Sequence, residues 1–254
     1  MKIARKLLWM LLTVPLAALA VEEGIKLDRL PADVRPNDLV SLQRGAQVFV
    51  NYCLNCHSAG YMRYNRLMEL GLTEAQIRDN LIFTGAKVGD LMKIAMDPRE
   101  AKDWFGTPPP DLSVIARARA SSAGSGAEWL YTYLRGFYRD PSRPTGWNNL
   151  VFENAGMPHV LYGLQGEQVL KTEEHILPGG GHKEKVQKLV LEKRGSVTPV
   201  EYDRLVADLV NFLVYVGEPA KLSRIELGIY VLLFLGLLFI FALLLKKEYW
   251  KDVH

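Results

Sequence analysis

Both cysteines of this 254-residue chain fall in one pentapeptide, Cys53-Leu54-Asn55-Cys56-His57. Thiols three positions apart can each add to one vinyl group of a haem. The histidine that follows at once is then the nearest side chain able to reach the iron. This is the spacing of covalent c-type haem attachment, and it obliges the surrounding chain to wrap a flat, mostly apolar group. A zinc half-site would want a second Cys or His pair at ligand spacing, and the chain has no further cysteine. A dithiol redox pair would sit in a βαβ setting, and no such alternation is readable. With both thiols committed to haem, no disulfide is available.

The two ends of the chain constrain its compartment. Lys2, Arg5 and Lys6 precede an apolar stretch from Leu7 to Ala20 that closes Ala18-Leu19-Ala20. Positive start, short apolar middle and small-residue ending read as a secretory signal over residues 1–20, cut after Ala20. An uncleaved anchor is the alternative, but the run is short for a span. At the other end, Leu227 to Leu245 carries no charge. Those residues rise about 28 Å as a helix, close to the hydrocarbon thickness of a bilayer. Lys246, Lys247, Tyr249, Trp250 and Lys251 follow, the lysines favouring the cytoplasmic face and the aromatics the interface. The expected layout is a haem domain over 21–224 outside a bacterial inner membrane, on its periplasmic side. A single transmembrane helix at 225–247 and a short cytoplasmic tail at 248–254 complete it.

The formal net charge of +3 comes from the two ends. Between Val21 and Arg224 acidic and basic residues balance, so nucleic acid is not an expected partner. About 200 exported residues suffice for one core without a second domain.

Leu39 to Tyr52 reads as a helix running into the haem motif, with Asp38 as its cap and Leu42, Ala46, Phe49 and Val50 at helical spacing. Gly45 costs propensity in mid-helix and marks a close crossing by another element. Thr198-Pro199-Val200-Glu201 is a capping box that opens a second helix with an apolar face from Leu205 to Val216. Residues 73–83 and 127–138 read as further helices. Residues 118–126 read as a flexible surface loop, Gly179-Gly180-Gly181 as a break, and 183–193 as a charged, solvated excursion. The pattern alone supports a mostly α domain with long loops.

The second axial position decides the chemistry: an open site suits gas binding, whereas thioether ligation raises the potential for electron transfer. Met62 and Met68 follow His57 too closely to wrap to the opposite haem face. Met92 and Met96 lie on a Leu91-Met92-Ala95-Met96 stripe that reads as helical core. His159, His175 and His182 are further candidates. Met157 sits in Asn154-Ala155-Gly156-Met157-Pro158, where Gly permits an unusual turn and Pro stiffens the exit. Spacing favours Met157 and leaves the others open. His57 also needs an acceptor for its second ring nitrogen. The carbonyls of Thr107-Pro108-Pro109-Pro110-Asp111 can supply one, Pro110 among them, unless the run is only a polyproline II bend.

Taken together, these motifs resemble the cytochrome c1 family, the haem subunits of the cytochrome bc1 complex. The likeness is carried by Ser41-Leu42-Gln43-Arg44-Gly45, the haem pentapeptide with Ser58, and Met62-Arg63-Tyr64. Pro109-Pro110-Asp111-Leu112-Ser113, the Trp129-Leu130-Tyr131-Thr132-Tyr133-Leu134 segment, the Met157 loop and the C-terminal span extend it. The resemblance implies an α-helical, class I cytochrome c-like haem domain with one covalent haem c. It implies His57 and Met157 as iron ligands and Arg63 near a propionate, with Tyr64 and Pro110 in the cofactor's surroundings. It further implies cytochrome b and Rieske iron–sulfur partners, a soluble or tethered cytochrome c as acceptor, and contact with membrane lipid. The chain would be an electron-transfer subunit, not an enzyme on its own. Two departures stand out: Asn-Ala-Gly replaces a longer Gly-Gly-Ala-Ile-Ala approach to the methionine, and an extra cysteine pair found in some members is missing. A membrane-anchored cytochrome feeding a terminal oxidase, and a haem enzyme or sensor with open iron, are the competing readings.

Overall fold

The computed structural model describes residues 26–32, 34–176 and 183–252. The 1–20 signal segment, the Gly179–Gly181 break and His182 lie outside these residues. Asp38 opens helix α1 (Leu39–Val48), its carboxylate accepting from the amides of Val40 and Ser41 at 3.1 and 3.2 Å. Two orphan donors of the first turn are thereby satisfied. After Val48 the helix loosens into one π turn, Phe49–Cys53. An extra residue of this kind re-aims the side chains that follow, and Cys53 ends buried beside Phe49 and Val50.

The chain then forms strand β1 (Ala59–Arg63), a 3-10 turn over Tyr64–Leu70 and helix α2 (Glu74–Leu81). The short strand β2 (Leu91–Met92) and helices α3 (Pro98–Phe105) and α4 (Ile115–Ala118) follow. Helix α5 (Gly126–Arg135), strands β3 (Phe137–Arg139) and β4 (Trp147–Asn149), and helix α6 (Tyr162–Gln165) come next. The chain continues through β5 (Gly166–Ile176), β6 (Lys183–Arg194), α7 (Pro199–Gly217) and α8 (Lys221–Tyr249). Described strands pair only as antiparallel two-stranded ladders, β1–β2, β3–β4 and β5–β6, so the domain is helical with small β clasps.

The core is built where α1 and α7 cross. Thr198 and Glu201 form the expected capping box of α7. Val206, Leu209, Val210, Phe212 and Leu213 are almost fully buried. At about 2 kcal/mol each, their burial contributes on the order of 10 kcal/mol, so packing holds this helix more than propensity does. Gly45 lies at the crossing, as its position in mid-helix predicts. A Cβ there would lie 2.7 Å from Phe212 Cβ and 2.8 Å from the carbonyl carbon of Asp208. The ring of Phe49 lies 5.6 Å from that of Phe212.

One charge is sealed into the crossing. Asp208, 2% exposed, accepts from Ser41 Oγ at 2.6 Å and from Arg44 Nε at 2.6 Å. Asn211 Nδ2 donates to Ser41 Oγ at 3.1 Å and to the Arg35 carbonyl at 2.9 Å. A buried carboxylate without such partners would cost several kcal/mol.

One expectation needs correction and two gain detail. The Leu91–Met96 stripe is not helical: Leu91 and Met92 pair as β2 with β1, Met92 opposite Ala59. A strand partner for β1 outweighs a weak local helical pattern confined between Gly89 and Pro98. The charged, solvated excursion expected at residues 183–193 is the strand β6, antiparallel to β5 along its length and exposed at residues 187–188 and 192–194. The apolar Val186, Leu189, Val190 and Leu191, with β-favouring valines among them, carried that signal, masked by the charges around them. Residues 118–126 form a mostly exposed surface loop in which Ser121 and Gly124 exchange backbone bonds in a tight turn, and Ser125 with Glu128 caps α5.

Helix α8 contains a candidate span, Ser223–Tyr249, whose most apolar 18-residue window has a mean hydropathy of 2.9 and is not buried. Among the described residues it is the one helix long and apolar enough to cross a membrane.

Candidate haem site

The pentapeptide sits where the π turn ends. Cys56 and His57 amides both donate to the Cys53 carbonyl, at 3.1 and 2.8 Å, so the two thiols and the imidazole are presented by one tight turn. Both cysteines are free thiols, Cys53 buried and Cys56 half-buried. Burial, with the neighbouring Cys56 adding to it, pushes the Cys53 thiol up to about 12.

His57 Nδ1 lies 2.7 Å from the Pro110 carbonyl oxygen. A carbonyl only accepts, so Nδ1 carries the hydrogen and Nε2 keeps its lone pair. Burial lowers the pKa of His57, while the Pro110 bond and Asp111 pull it back up. Of three successive prolines, the structure selects Pro110 because its neighbours pin it. Leu112 N donates to the Ser58 carbonyl at 2.8 Å. Asp111 Oδ2 accepts from Gly60 N at 2.8 Å, and Asp111 Oδ1 from Ser113 N at 2.8 Å. Ser113 Oγ accepts from Tyr61 N at 3.0 Å. A Cβ at Gly60 would come within 2.9 Å of Asp111 Oδ2 and push that carboxylate out of place. Beside the seam lies a cleft of about 470 Å³, lined by Ser58, Lys93, Ile94, Met96 and Asp111 among others.

Met157 is half-buried against the core, and its Sδ accepts from Tyr133 Oη at 3.6 Å. Burial pushes the Tyr133 phenol up to about 12, against a smaller opposing effect of Arg119, so the hydroxyl keeps its proton. The loop that carries Met157 is braced by two asparagines. Asn148 Oδ1 accepts from the amides of Asn149 and Asn154 at 2.9 Å each. Asn149 Oδ1 accepts from Val151 N at 2.9 Å and Phe152 N at 3.2 Å, while its Nδ2 donates to the Tyr133 carbonyl at 2.8 Å. Asn154 takes φ 60°, a conformation asparagine tolerates better than most residues.

The other candidates take other places. Met62 is fully buried core and Met68 is half exposed. Met92 is sealed in β2, and His175 lies in β5. His159 is 2% exposed, stacked on Phe137 at 4.9 Å and edge-on to Trp147 at 5.0 Å. Burial lowers its pKa to about 4, which suits a neutral ring packed in an aromatic cluster behind the Met157 loop. Arg63 is exposed and donates Nη1 to the Gly89 carbonyl at 2.7 Å, and Tyr64 is buried. The geometry thus joins His57 to Pro110 and Met157 to Tyr133, and it leaves Arg63 and Tyr64 with neither pair.

The donor set suits a haem: two unbonded thiols, a neutral imidazole with one nitrogen held, and a thioether on a braced loop. The Cytochrome C1 family profile covers residues 34–253, most of the chain. The chain belongs to the cytochrome c1 family. It is 52% identical over 245 residues to a protein named cytochrome c1 from Allochromatium vinosum, covering 96% of both chains. It is also 52% identical over 254 residues to a protein named ammonia monooxygenase gamma subunit from Nitrosomonas europaea, covering all of both chains. Cytochrome c1 from Rhodospirillum rubrum is 29% identical over 237 residues, which covers 85% of this chain and 83% of that one. As a cytochrome c1, the chain is a haem protein of respiratory electron transport.

Sequence reasoning missed Tyr133, Asn148 and Asn149. The Asn-Asn pair ahead of the Met157 loop is a readable signal, because Asx side chains satisfy nearby amides in tight turns. Asn149 is fully buried and serves both Tyr133 and the loop. Asn149→Ala should therefore destabilise the domain by about 1–3 kcal/mol, the cost of leaving buried amides unpaired. Hydrogen exchange should show faster exchange confined to residues 150–158; uniform exchange throughout the domain would count against a bracing role.

Proposed function

We propose that this cytochrome c1 carries one haem c, bound through thioethers to Cys53 and Cys56, with His57 and Met157 as its axial ligands. It passes single electrons from a Rieske iron–sulfur subunit to a soluble or tethered cytochrome c within a bc1 complex. Family membership over nearly the whole chain, with the His57–Pro110 bond at 2.7 Å, is the observation that carries this reading. Bound there, haem supplies a one-electron iron couple. The chain's residues do the rest. The Pro110 carbonyl holds the imidazole in one tautomer and orientation, raising its basicity as a ligand. The Met157 thioether favours the reduced state and a higher potential than two nitrogen ligands would. The buried face of α1 and the Met157 loop exclude water. The exposed guanidinium of Arg63 is assigned to a propionate, where it would make a charge-assisted pair.

The topology follows from the two ends. Residues 1–20 direct export, α8 anchors the domain, and Lys246, Lys247 and Lys251 keep the tail in the cytoplasm. The haem then faces the periplasmic side of a bacterial inner membrane, as thioether attachment on the export side requires.

The likeness to a protein named for an ammonia monooxygenase favours a second reading, in which the same haem and anchor serve a different membrane complex. Mild-detergent purification on this chain, with quinol-dependent cytochrome c reduction assayed in parallel, separates the two. Recovery of a cytochrome b and a Rieske protein with that activity supports the bc1 reading. Recovery of monooxygenase or terminal oxidase subunits in their place overturns it.

A further inference from the structure

The side chain that meets the Met157 sulfur is a phenol, and both ends of that residue are tied to the loop the sulfur sits on. Tyr133 Oη lies 3.6 Å from Met157 Sδ, within the range of a hydrogen bond to sulfur. Its ring is clamped on two sides, stacked on Trp129 at 4.8 Å with a 12° interplanar angle and edge-on to Phe137 at 5.0 Å. Its backbone carbonyl accepts from Asn149 Nδ2 at 2.8 Å, and the same asparagine holds the amides of Val151 and Phe152. The hydroxyl therefore has little freedom to leave the sulfur, and the loop has little freedom to carry the sulfur away.

We propose that Tyr133 is a positioning residue for Met157: its hydroxyl donates to the thioether, fixes the sulfur's orientation and raises the potential of the haem that Met157 ligates. The inference rests on Met157 being the sixth ligand. A thioether sulfur has two lone pairs, so one can face the iron while the other accepts the phenolic hydrogen. The hydrogen bond withdraws electron density from the sulfur. A poorer donor stabilises ferric iron less, and the ferric state loses more than the ferrous because it depends more on ligand donation. Nothing in the residue pattern announces this pairing, because Tyr133 and Met157 lie on different elements and meet only in the folded domain.

The test is Tyr133→Phe in the membrane-extracted full chain, which keeps the ring and its stacking and removes only the hydroxyl. Covalent haem content and circular dichroism should match the parent. The midpoint potential should fall by an amount equal to about a threefold change in the ratio of oxidised to reduced haem. That is about 30 mV at 59 mV per tenfold for a one-electron couple. The sulfur-to-iron charge-transfer band of the ferric form should persist, and displacement of the methionine by added imidazole should weaken several-fold. An unchanged potential and unchanged imidazole displacement, with the band present in both proteins, would overturn the role of Tyr133. A parent protein without that band would instead overturn Met157 ligation itself, so the two failures are distinguishable. Tyr133→Leu, which also removes the ring, should add a loss of thermal stability to the same potential shift. A potential shift seen only with leucine would assign the effect to packing and overturn the hydrogen-bond role.

Discussion

Replacing Met157 with leucine should leave the haem covalently attached and lower its midpoint potential by at least about 100 mV. That is a modest share of the roughly 0.8 V over which axial ligands set haem potentials. Leucine fills nearly the same volume, so the loop braced by Asn148 and Asn149 has no reason to collapse. What disappears is the thioether, and with it both the stabilisation of ferrous iron and the protection of the sixth position. Reduced protein should then bind carbon monoxide, which the parent should refuse, and electron delivery to cytochrome c should slow. A variant that keeps the parent's potential and still refuses carbon monoxide would remove Met157 from the iron. The search would then return to Met96 beside the cleft near His57.

The second large effect belongs to the fold. Gly45→Ala should destabilise the domain, although alanine is the better helix former by about 1 kcal/mol. The added methyl would lie 2.7 Å from Phe212 Cβ and 2.8 Å from the Asp208 carbonyl carbon. One of those neighbours is backbone in the middle of α7, so relief requires moving a whole helix. Overpacking of this kind costs up to about 3 kcal/mol, leaving a net loss of about 2 kcal/mol. For a domain of this size that lowers the thermal midpoint by about 4–8 °C. Thermal melts of the detergent-solubilised protein, followed at the haem and in the far ultraviolet, measure it. A midpoint at or above the parent's would mean that α1 and α7 can slide apart without losing the Asp208 network.

The glycine was legible because it contradicts its surroundings: a poor helix former in the middle of a well-patterned helix requires a reason. The caps of α1 and α7 were legible for a similar cause, since a capping side chain answers to amides only two or three residues away. By contrast, β2 was misread as helical and the strand pairing of β6 went unread. The Leu91–Met96 spacing matches a helix by accident, and only Ala59 across the ladder shows that a strand partner is needed. In β6 the apolar residues are interrupted by lysines and glutamates, and Lys193 pairs with Glu167 of β5 at 3.0 Å.

The haem pentapeptide, the apolar length of α8 and the capped helices were determined by the sequence alone. Each is a local matter of spacing, length or a cap within one turn. Which of Pro108, Pro109 and Pro110 reaches His57 was decided only by the tertiary structure. So were the meeting of Tyr133 with Met157 and the bracing of the Met157 loop by Asn148 and Asn149. Those choices are made between groups far apart along the chain, brought together by burial of the α1–α7 core, and no local pattern encodes the register in which distant elements arrive.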